Sequence, residues 1–326
     1  MNNMWRSVAR YARQKIVQHD PEQLEEILQL WYLRLLALTK LGLYQLASAE
    51  LDKLGDLKRP ELTYQYHADL YPNKHGCMVP FELRVLWACL PALMKHPLLT
   101  LERITMLAVH CKKMQKTDAS QVNIWQRREV QMYLVLSTRF MEMNDYTGAA
   151  STMEMILDKY ATAENGEQDI DILSGLARLY LQLGDISSAQ NLYTRLESQY
   201  QGNDAPSVTE CIQINRALLC IAKADWKQAR DILLEIYQTN KENLLVMHNL
   251  AVCEVYMGNL NKAIAILETL TTDNPTSAGT CETALMNMCT LYELRYANPT
   301  DKKVAVMKQV ARWIGDSFQS NCFKLQ

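Results

Sequence analysis

Ala217-Leu218-Leu219-Cys220-Ile221-Ala222-Lys223-Ala224-Asp225-Trp226-Lys227-Gln228-Ala229 is the stretch on which the fold turns. An apolar run carries a small residue, Ala217. It then breaks at Ala224-Asp225, resumes on a large aromatic, Trp226, and reaches a second small residue, Ala229, twelve positions after the first. The same order returns at Ala177…Gly184-Asp185-Ile186…Ala189 and at Ala251…Gly258-Asn259-Leu260…Ala263. Shorter echoes stand at Asn3-Met4-Trp5…Val8, Gly42-Leu43-Tyr44…Ala47 and Asn144-Asp145-Tyr146…Ala149. A small residue in each of two apolar stretches joined by a tight polar turn reads as a helix hairpin, repeated. Stacked hairpins make scaffolds that hold partners.

The closing residues Val8, Ala47, Ala149, Ala189, Ala229 and Ala263 stand 39, 102, 40, 40 and 34 apart. The last step is the period of a tetratricopeptide repeat, about 34 residues. The long step hides a degenerate hairpin, Phe81 to Met94 and Leu98 to Met114, with Pro97 where its second helix begins. The expected fold is all-α, a right-handed α-solenoid of tetratricopeptide-like hairpins without strands. Ala47, Ala149, Ala177, Ala189, Ala217, Ala229, Ala251 and Ala263 are its close-packing positions. Gly184 and Gly258 end first helices through left-handed caps, and Asp185 or Asn259 caps the next helix.

As one superhelix over 1–326, the chain divides into an N-terminal partial repeat and hairpin (1–57), an aromatic-rich inter-repeat segment (58–80) and degenerate hairpins (81–160). The clearest hairpins follow at 170–272, and C-terminal capping helices with a tail at 281–326. Within the last, Cys281 to Tyr296 reads as one helix and Asp301 to Phe318 as another. Polar breaks are expected at Ala161 to Asp169 and Gln201 to Pro206.

Two segments depart from the ruler, and the first twenty residues need two readings. The first twenty residues carry Arg6, Arg10, Arg13 and Lys15 before any acid. They read as an amphipathic targeting stretch or, favoured by the match of Trp5-Arg6-Ser7-Val8 to Trp226-Lys227-Gln228-Ala229, as the second helix of a hairpin whose first helix is either absent or supplied elsewhere. The inter-repeat segment, with Tyr64, Tyr66, His67 and Tyr71, is too aromatic for a polar linker. It packs on its own hairpins, contacts a partner, or both. The tail, with Phe318, Phe323 and Leu325, caps an open repeat end or enters a partner.

The chain has 326 residues, 48% hydrophobic, with net charge −2 and only 11 Gly and 9 Pro. The weak charge leaves no global footprint for nucleic acid. No apolar run suits a bilayer-spanning helix. Nine cysteines, odd in number and without a Cys-x-x-Cys pair, read as reduced and largely buried thiols. No phosphate-binding loop, His-Glu-x-x-His pair or nucleophile elbow occurs, so no catalytic, cofactor or metal residue is expected. His67, His75 and Cys77 lack a nearby fourth ligand for zinc. Lys112-Lys113 with Lys116, and Arg127-Arg128, read as solvated helix ends. A free peptide-binding adaptor is the alternative function. Its groove positions Leu173, Cys211, Ile214, Asn215, His248 and Asn249, with Arg178 and Arg216 nearby, make a weak carboxylate clamp.

Beyond the generic repeat, the chain resembles one family, the twelfth subunit of the metazoan TRAPP vesicle-tethering complex. The resemblance runs through Leu38-Thr39-Lys40-Leu41-Gly42-Leu43-Tyr44-Gln45 with Ala47, and Leu54-Gly55-Asp56-Leu57 with Pro60. It continues in Tyr64, Tyr66, Tyr71-Pro72, Gly76 and Met78-Val79-Pro80-Phe81. Leu173-Ser174-Gly175, Leu183-Gly184-Asp185-Ile186, Ala251-Val252-Cys253, Met288 and Thr290-Leu291-Tyr292-Glu293-Leu294 extend it, as do Gly315-Asp316-Ser317-Phe318, Cys322 and Lys324-Leu325. Vertebrate members carry a long extension ahead of this region, and Arg312-Trp313-Ile314 stands where the family is more polar.

The resemblance implies a non-catalytic scaffold subunit of TRAPP III, acting in endoplasmic reticulum-to-Golgi transport and autophagy. It implies protein partners, the other TRAPP subunits and especially the large eleventh, with a Rab GTPase reached indirectly through the complex core. Its location would be cytoplasmic, peripheral on endoplasmic reticulum–Golgi intermediate and Golgi membranes. No cofactor, nucleic acid or integral membrane segment is implied.

Overall fold

Tight turns with a left-handed residue set the helix boundaries along this chain. The computed structural model describes residues 4–117, 121–160, 166–201, 205–241 and 243–325. Asn3, part of the first echo, lies outside them, as do 161–165 and 202–204 of the two polar breaks.

The described residues form two compact units whose boundary falls inside one helix, at 152/153. The first unit contains α1 (Trp5–Gln18), α2 (Leu24–Lys40), α3 (Tyr44–Leu54), α4 (Phe81–Leu93), α5 (Pro97–Thr117) and α6 (Val122–Glu142). The boundary helix is α7 (Tyr146–Tyr160). The second unit contains α8 (Gly166–Leu183), α9 (Ile186–Gln199), α10 (Pro206–Ala222), α11 (Trp226–Thr239), α12 (Leu244–Tyr256), α13 (Leu260–Asp273), α14 (Glu282–Arg295) and α15 (Thr300–Val310). The architecture is an all-α helical repeat of tetratricopeptide-like paired helices. No strand occurs among the described residues; one isolated antiparallel bridge joins Thr63 and Cys77.

Each turn uses the same device with different residues. Gly184 and Gly258 sit at φ +80° and +83°, where a side chain would be strained. Asn144 and Ala224 adopt the same region at +61° and +60°. Asp185 then accepts from the Ser188 amide at 3.0 Å, and Asp225 from the Gln228 amide at 3.1 Å. Asp145 does the same for Gly148 at 2.9 Å. Each satisfies an orphan donor of the next helix. Asn259 departs from the expected role. Its side chain does not cap α13 but donates to Glu254 at 2.8 Å. Glu254 is fully buried and also takes Lys262. Burial pushes its pKa up, yet the hydrogen bonds from Lys262 and Asn259 outweigh this and hold it below the ordinary value.

The small residues lie at helix crossings. Ala47, Ala149, Ala177, Ala189, Ala217, Ala229 and Ala263 are fully buried and Ala251 nearly so. In the second unit one apolar cluster runs from Ile214 and Ala217 through Leu233, Leu250 and Leu267 to Tyr292 and Phe323. No hairpin of this size could enclose its own apolar face, so each is covered by its neighbours.

Two boundaries and the burial of the cysteines differ from the sequence expectation. Helix α8 starts at Gly166 rather than after a break reaching Asp169. The last helix stops at Val310 instead of Phe318. Trp313 and Ile314 close turns onto the Val310 carbonyl, and Gly315 follows. This turn frees Phe318 and Phe323 to pack onto the core. The nine cysteines are all free, but only Cys111, Cys253, Cys289 and Cys322 are buried; the other five are half-buried. Burial pushes the Cys111, Cys253 and Cys289 thiols up to about 11.

Candidate protein-interaction surfaces

The segment between α3 and α4 is an ordered excursion. A short 3-10 turn at Pro60–Leu62 starts it, and its two limbs meet where Tyr64 donates its amide to Gly76 at 3.0 Å and Met78 to Leu62 at 2.9 Å. Leu57, Met78 and Val79 anchor its ends in the core of the first unit. Tyr64 and Tyr71 pack edge to face, 5.5 Å between centroids, against that core. Lys74 Nζ lies 5.4 and 5.6 Å from their centroids and bonds Glu25 of α2 at 2.7 Å. That hydrogen bond raises the Lys74 pKa, and burial with the Glu25 charge raises that of Tyr64. Tyr71 also donates its hydroxyl to the Glu22 carbonyl at 3.3 Å.

The four aromatic residues singled out from the sequence therefore separate. Tyr64 and Tyr71 face inward. Tyr66 is 61% exposed and stands edge-on to the His67 ring at 5.1 Å, with Leu70 beside it in sequence 45% exposed. His67 Nε2 is 2.9 Å from the Glu61 carbonyl.

The tail separates in the same way. Phe323 is buried, 2% exposed, in the core of the second unit, and Phe318 packs on that core 5.8 Å from it. Leu325 remains exposed. The polar side of the tail is a clamp that sequence reasoning did not find. Buried Lys303 donates to Glu293 and, at 3.0 Å, to the Lys324 carbonyl, while Lys324 Nζ reaches Glu293 at 3.2 Å and Thr290 at 3.1 Å. These cations hold the Glu293 carboxyl below its usual range. Lys303 and Lys324 follow different parts of the sequence, and only the turn after Val310 brings them together.

Most groove positions of the adaptor reading are engaged internally, Arg178 remaining exposed. Leu173, Ile214 and Asn215 are buried. Asn215 donates to Ser174 at 2.8 Å across α8 and α10, and Ser174 lies 3.5 Å from Cys211. Arg216 pairs with Glu197 at 2.7 Å, and His248 hydrogen-bonds Asn287 at 2.8 Å. A carboxylate clamp needs free donors, and Asn215, Arg216 and His248 have intramolecular partners.

A further cluster in the first unit corrects a sequence expectation. Arg128 is not a solvated helix end: its guanidinium lies 4.7 Å from both the Phe81 and Trp125 ring centroids. His110 stands edge-on to Trp125 at 5.8 Å, and Arg84 Nη1 is 3.4 Å from His110 Nε2. Among the described residues, no group of three or more His, Cys, Asp or Glu side chains is placed to hold a metal ion. No described helix is long and apolar enough to cross a membrane.

The tetratricopeptide repeat family matches residues 246–277, spanning most of α12 and α13. Trafficking protein particle complex subunit 12 of Mus musculus is 30% identical over 316 residues, covering 91% of this chain and 39% of that protein. The Homo sapiens protein of that name is likewise 30% identical, with 42% of its length covered. The chain thus spans about two fifths of the length of these relatives. Among solved structures, that of BtubC from P. vanneervenii is similar with a TM-score of 0.46 and 16% identity, over 65% of this chain and 88% of that one.

Proposed function

We propose that this chain is a non-catalytic scaffold subunit of a trafficking protein particle complex. The observation that carries the reading is the similarity to subunit 12, which extends over 91% of the chain, far beyond the residues matched by the tetratricopeptide repeat family. The helix hairpins support it physically. Their small residues and core-facing apolar residues are committed to packing, and exposed side chains such as Tyr66, Leu70 and Leu325 remain to meet other proteins.

In the finer reading the complex is TRAPP III, and the large eleventh subunit is the main partner. A Rab GTPase is reached only through the complex core, in endoplasmic reticulum-to-Golgi transport and autophagy. The location is cytoplasmic and peripheral on intermediate and Golgi membranes. Tyr66, His67 and Leu70 form the outward part of the partner surface, with Tyr64 and Tyr71 holding it in shape.

Co-purification of the tagged full chain from cells, with identification of associated subunits, tests this. Tyr66→Ser with Leu70→Ser should reduce recovery of the accessory subunit while leaving the melting temperature in place. Recovery of no complex subunit by the unaltered chain would overturn the reading. Normal recovery by the folded double variant would remove the excursion from the interface. Purified chain alone should not accelerate guanine-nucleotide release from a Rab-family GTPase; substantial acceleration would contradict a scaffold.

A further inference from the structure

The cluster around Trp125 combines cations from three helices and a loop. Arg84 belongs to the first turn of α4, His110 and Lys113 to the last turns of α5, Arg128 to the second turn of α6, and Lys58 to the start of the excursion. The antiparallel order of α4, α5 and α6 brings the start of one, the end of the next and the start of the third together. Arg84, Lys58 and Lys113 all act on His110, and burial together with these charges lowers its pKa. Because a guanidinium only donates, the imidazole nitrogen facing Arg84 is the acceptor, and the proton sits on Nδ1.

Among the described residues, Arg84 and Arg128 have ring or imidazole neighbours but no carboxylate at ion-pair distance. Glu129, which acts on neighbouring Cys111, is fully buried and accepts from Gln115 at 2.6 Å. The Trp125 indole N–H is buried with no acceptor. A chain of net charge −2 has carboxylates enough to pair its arginines, yet here it holds one 4.7 Å from the centroids of two rings set edge to face. Contact with two rings restrains the guanidinium before any ligand arrives and lowers the entropy lost on binding an oxyanion. Exposed Val109 and Met106 stand one and four residues before His110 on α5 and offer apolar contact beside the charge.

We infer that Arg84, His110 and Arg128, with Lys58 and Lys113 beside them, form a recognition site for an acidic segment of a partner protein. The segment presents an oxyanion, as clustered carboxylates or as a phosphorylated side chain, and an apolar residue next to it. Arg pairs suit such groups because two parallel N–H donors match two oxygens. The apolar neighbours favour a peptide over a free anion. The inference rests on the reading of the chain as a protein-binding scaffold, but its test needs no other subunit.

Fluorescence anisotropy with the purified full chain measures binding of three labelled peptides. One carries alternating Glu and Leu, one has a phosphoserine replacing a central Glu, and one has Gln at every Glu. Both anionic peptides should bind and the Gln peptide should not; binding of the phosphopeptide alone also supports the site and assigns it to a phosphoryl group. Arg84→Gln with Arg128→Gln should weaken binding about tenfold or more, the loss expected for removing charge-assisted hydrogen bonds. Lys58→Gln with Lys113→Gln, both exposed and expected to leave the fold intact, should weaken it by a smaller factor. These lysines decide the matter if the arginine pair fails to fold. Arg195→Gln on α9 should change nothing. Equal binding of the Gln peptide, absence of binding by any peptide, or full affinity in folded variants overturns the inference. Capture by phosphatidylserine vesicles through these cations without peptide binding also overturns it, in favour of a membrane surface.

Discussion

The hairpins α8 to α13 and the excursion at 58–80 are both ordered, but different forces order them. In the hairpins, buried alanines allow close helix contact and each apolar face is covered by the next. In the excursion a few anchors, Leu57, Met78 and Val79, hold the ends. Between them, two backbone bonds across the limbs, local turns, a tyrosine pair and one lysine shape the loop. The contrast teaches where substitution is tolerated. Dense packing leaves little room for change in volume, whereas the excursion can lose an outward side chain without losing its shape.

The largest effect should come from emptying the core at its C-terminal end. Phe323→Ala should destabilise by about 3–5 kcal/mol, read from denaturant unfolding with unchanged slope. A loss under about 1 kcal/mol would mean that the tail is not an integral cover of the second unit. Filling a crossing is next: Ala229→Leu should cost about 1–3 kcal/mol. Tyr66→Ser, its counterpart in the excursion, should stay within about 0.5 kcal/mol. Equal losses for these two would break the comparison.

A smaller effect tests the turns. Ala224 holds a left-handed conformation at φ +60°, which penalises a side chain by about 1–2 kcal/mol. Ala224→Gly should therefore raise stability by up to about 1 kcal/mol, after allowing for the greater freedom of glycine in the unfolded chain. Gly184→Ala should lower it. A fall in melting temperature for Ala224→Gly would show that the methyl group, not the backbone, governs that turn.

The smallest effect is a dependence on pH. Hydrogen bonds from Ser188 and Ser187 hold the Asp185 carboxyl down to about 2. Its folded pKa lies below its unfolded one, so its contribution is complete above about pH 4 and is lost as pH falls toward 2. Asp185→Asn should lower the melting temperature more at pH 7 than near pH 2. An Asn259→Asp variant, at the matching turn, should not reproduce this, because Asn259 serves buried Glu254 instead of the helix end. Identical profiles at the two turns would merge what the structure separates.

Spacing made the hairpins legible. A small residue recurring across a turn requires two helices in contact, whatever surrounds them, so Ala177, Ala189, Ala217, Ala229, Ala251 and Ala263 could be singled out from local pattern alone. The aromatic content of 58–80 also marked an ordered segment. Which of its tyrosines turn inward was not legible, because Tyr64 and Tyr66 differ only in whether the fold brings Glu25 and Lys74 to them. Arg128 looked like any helix-end cation for a related reason: Trp125 stands three residues before it on α6, but Phe81 lies on α4 and meets it only when the two helices dock.

Local periodicity and turn chemistry in the sequence by themselves determined that this protein is a helical repeat, where its clearest turns fall, and which alanines mark them. These depend on neighbours within one hairpin, which the chain states directly. Only the tertiary structure decided that the last helix stops at Val310, that Asn259 supports a buried glutamate, and that cations distant in sequence gather around Trp125. Each of those outcomes depends on burial and electrostatics between segments far apart in the chain, and such energies exist only once the helices have packed.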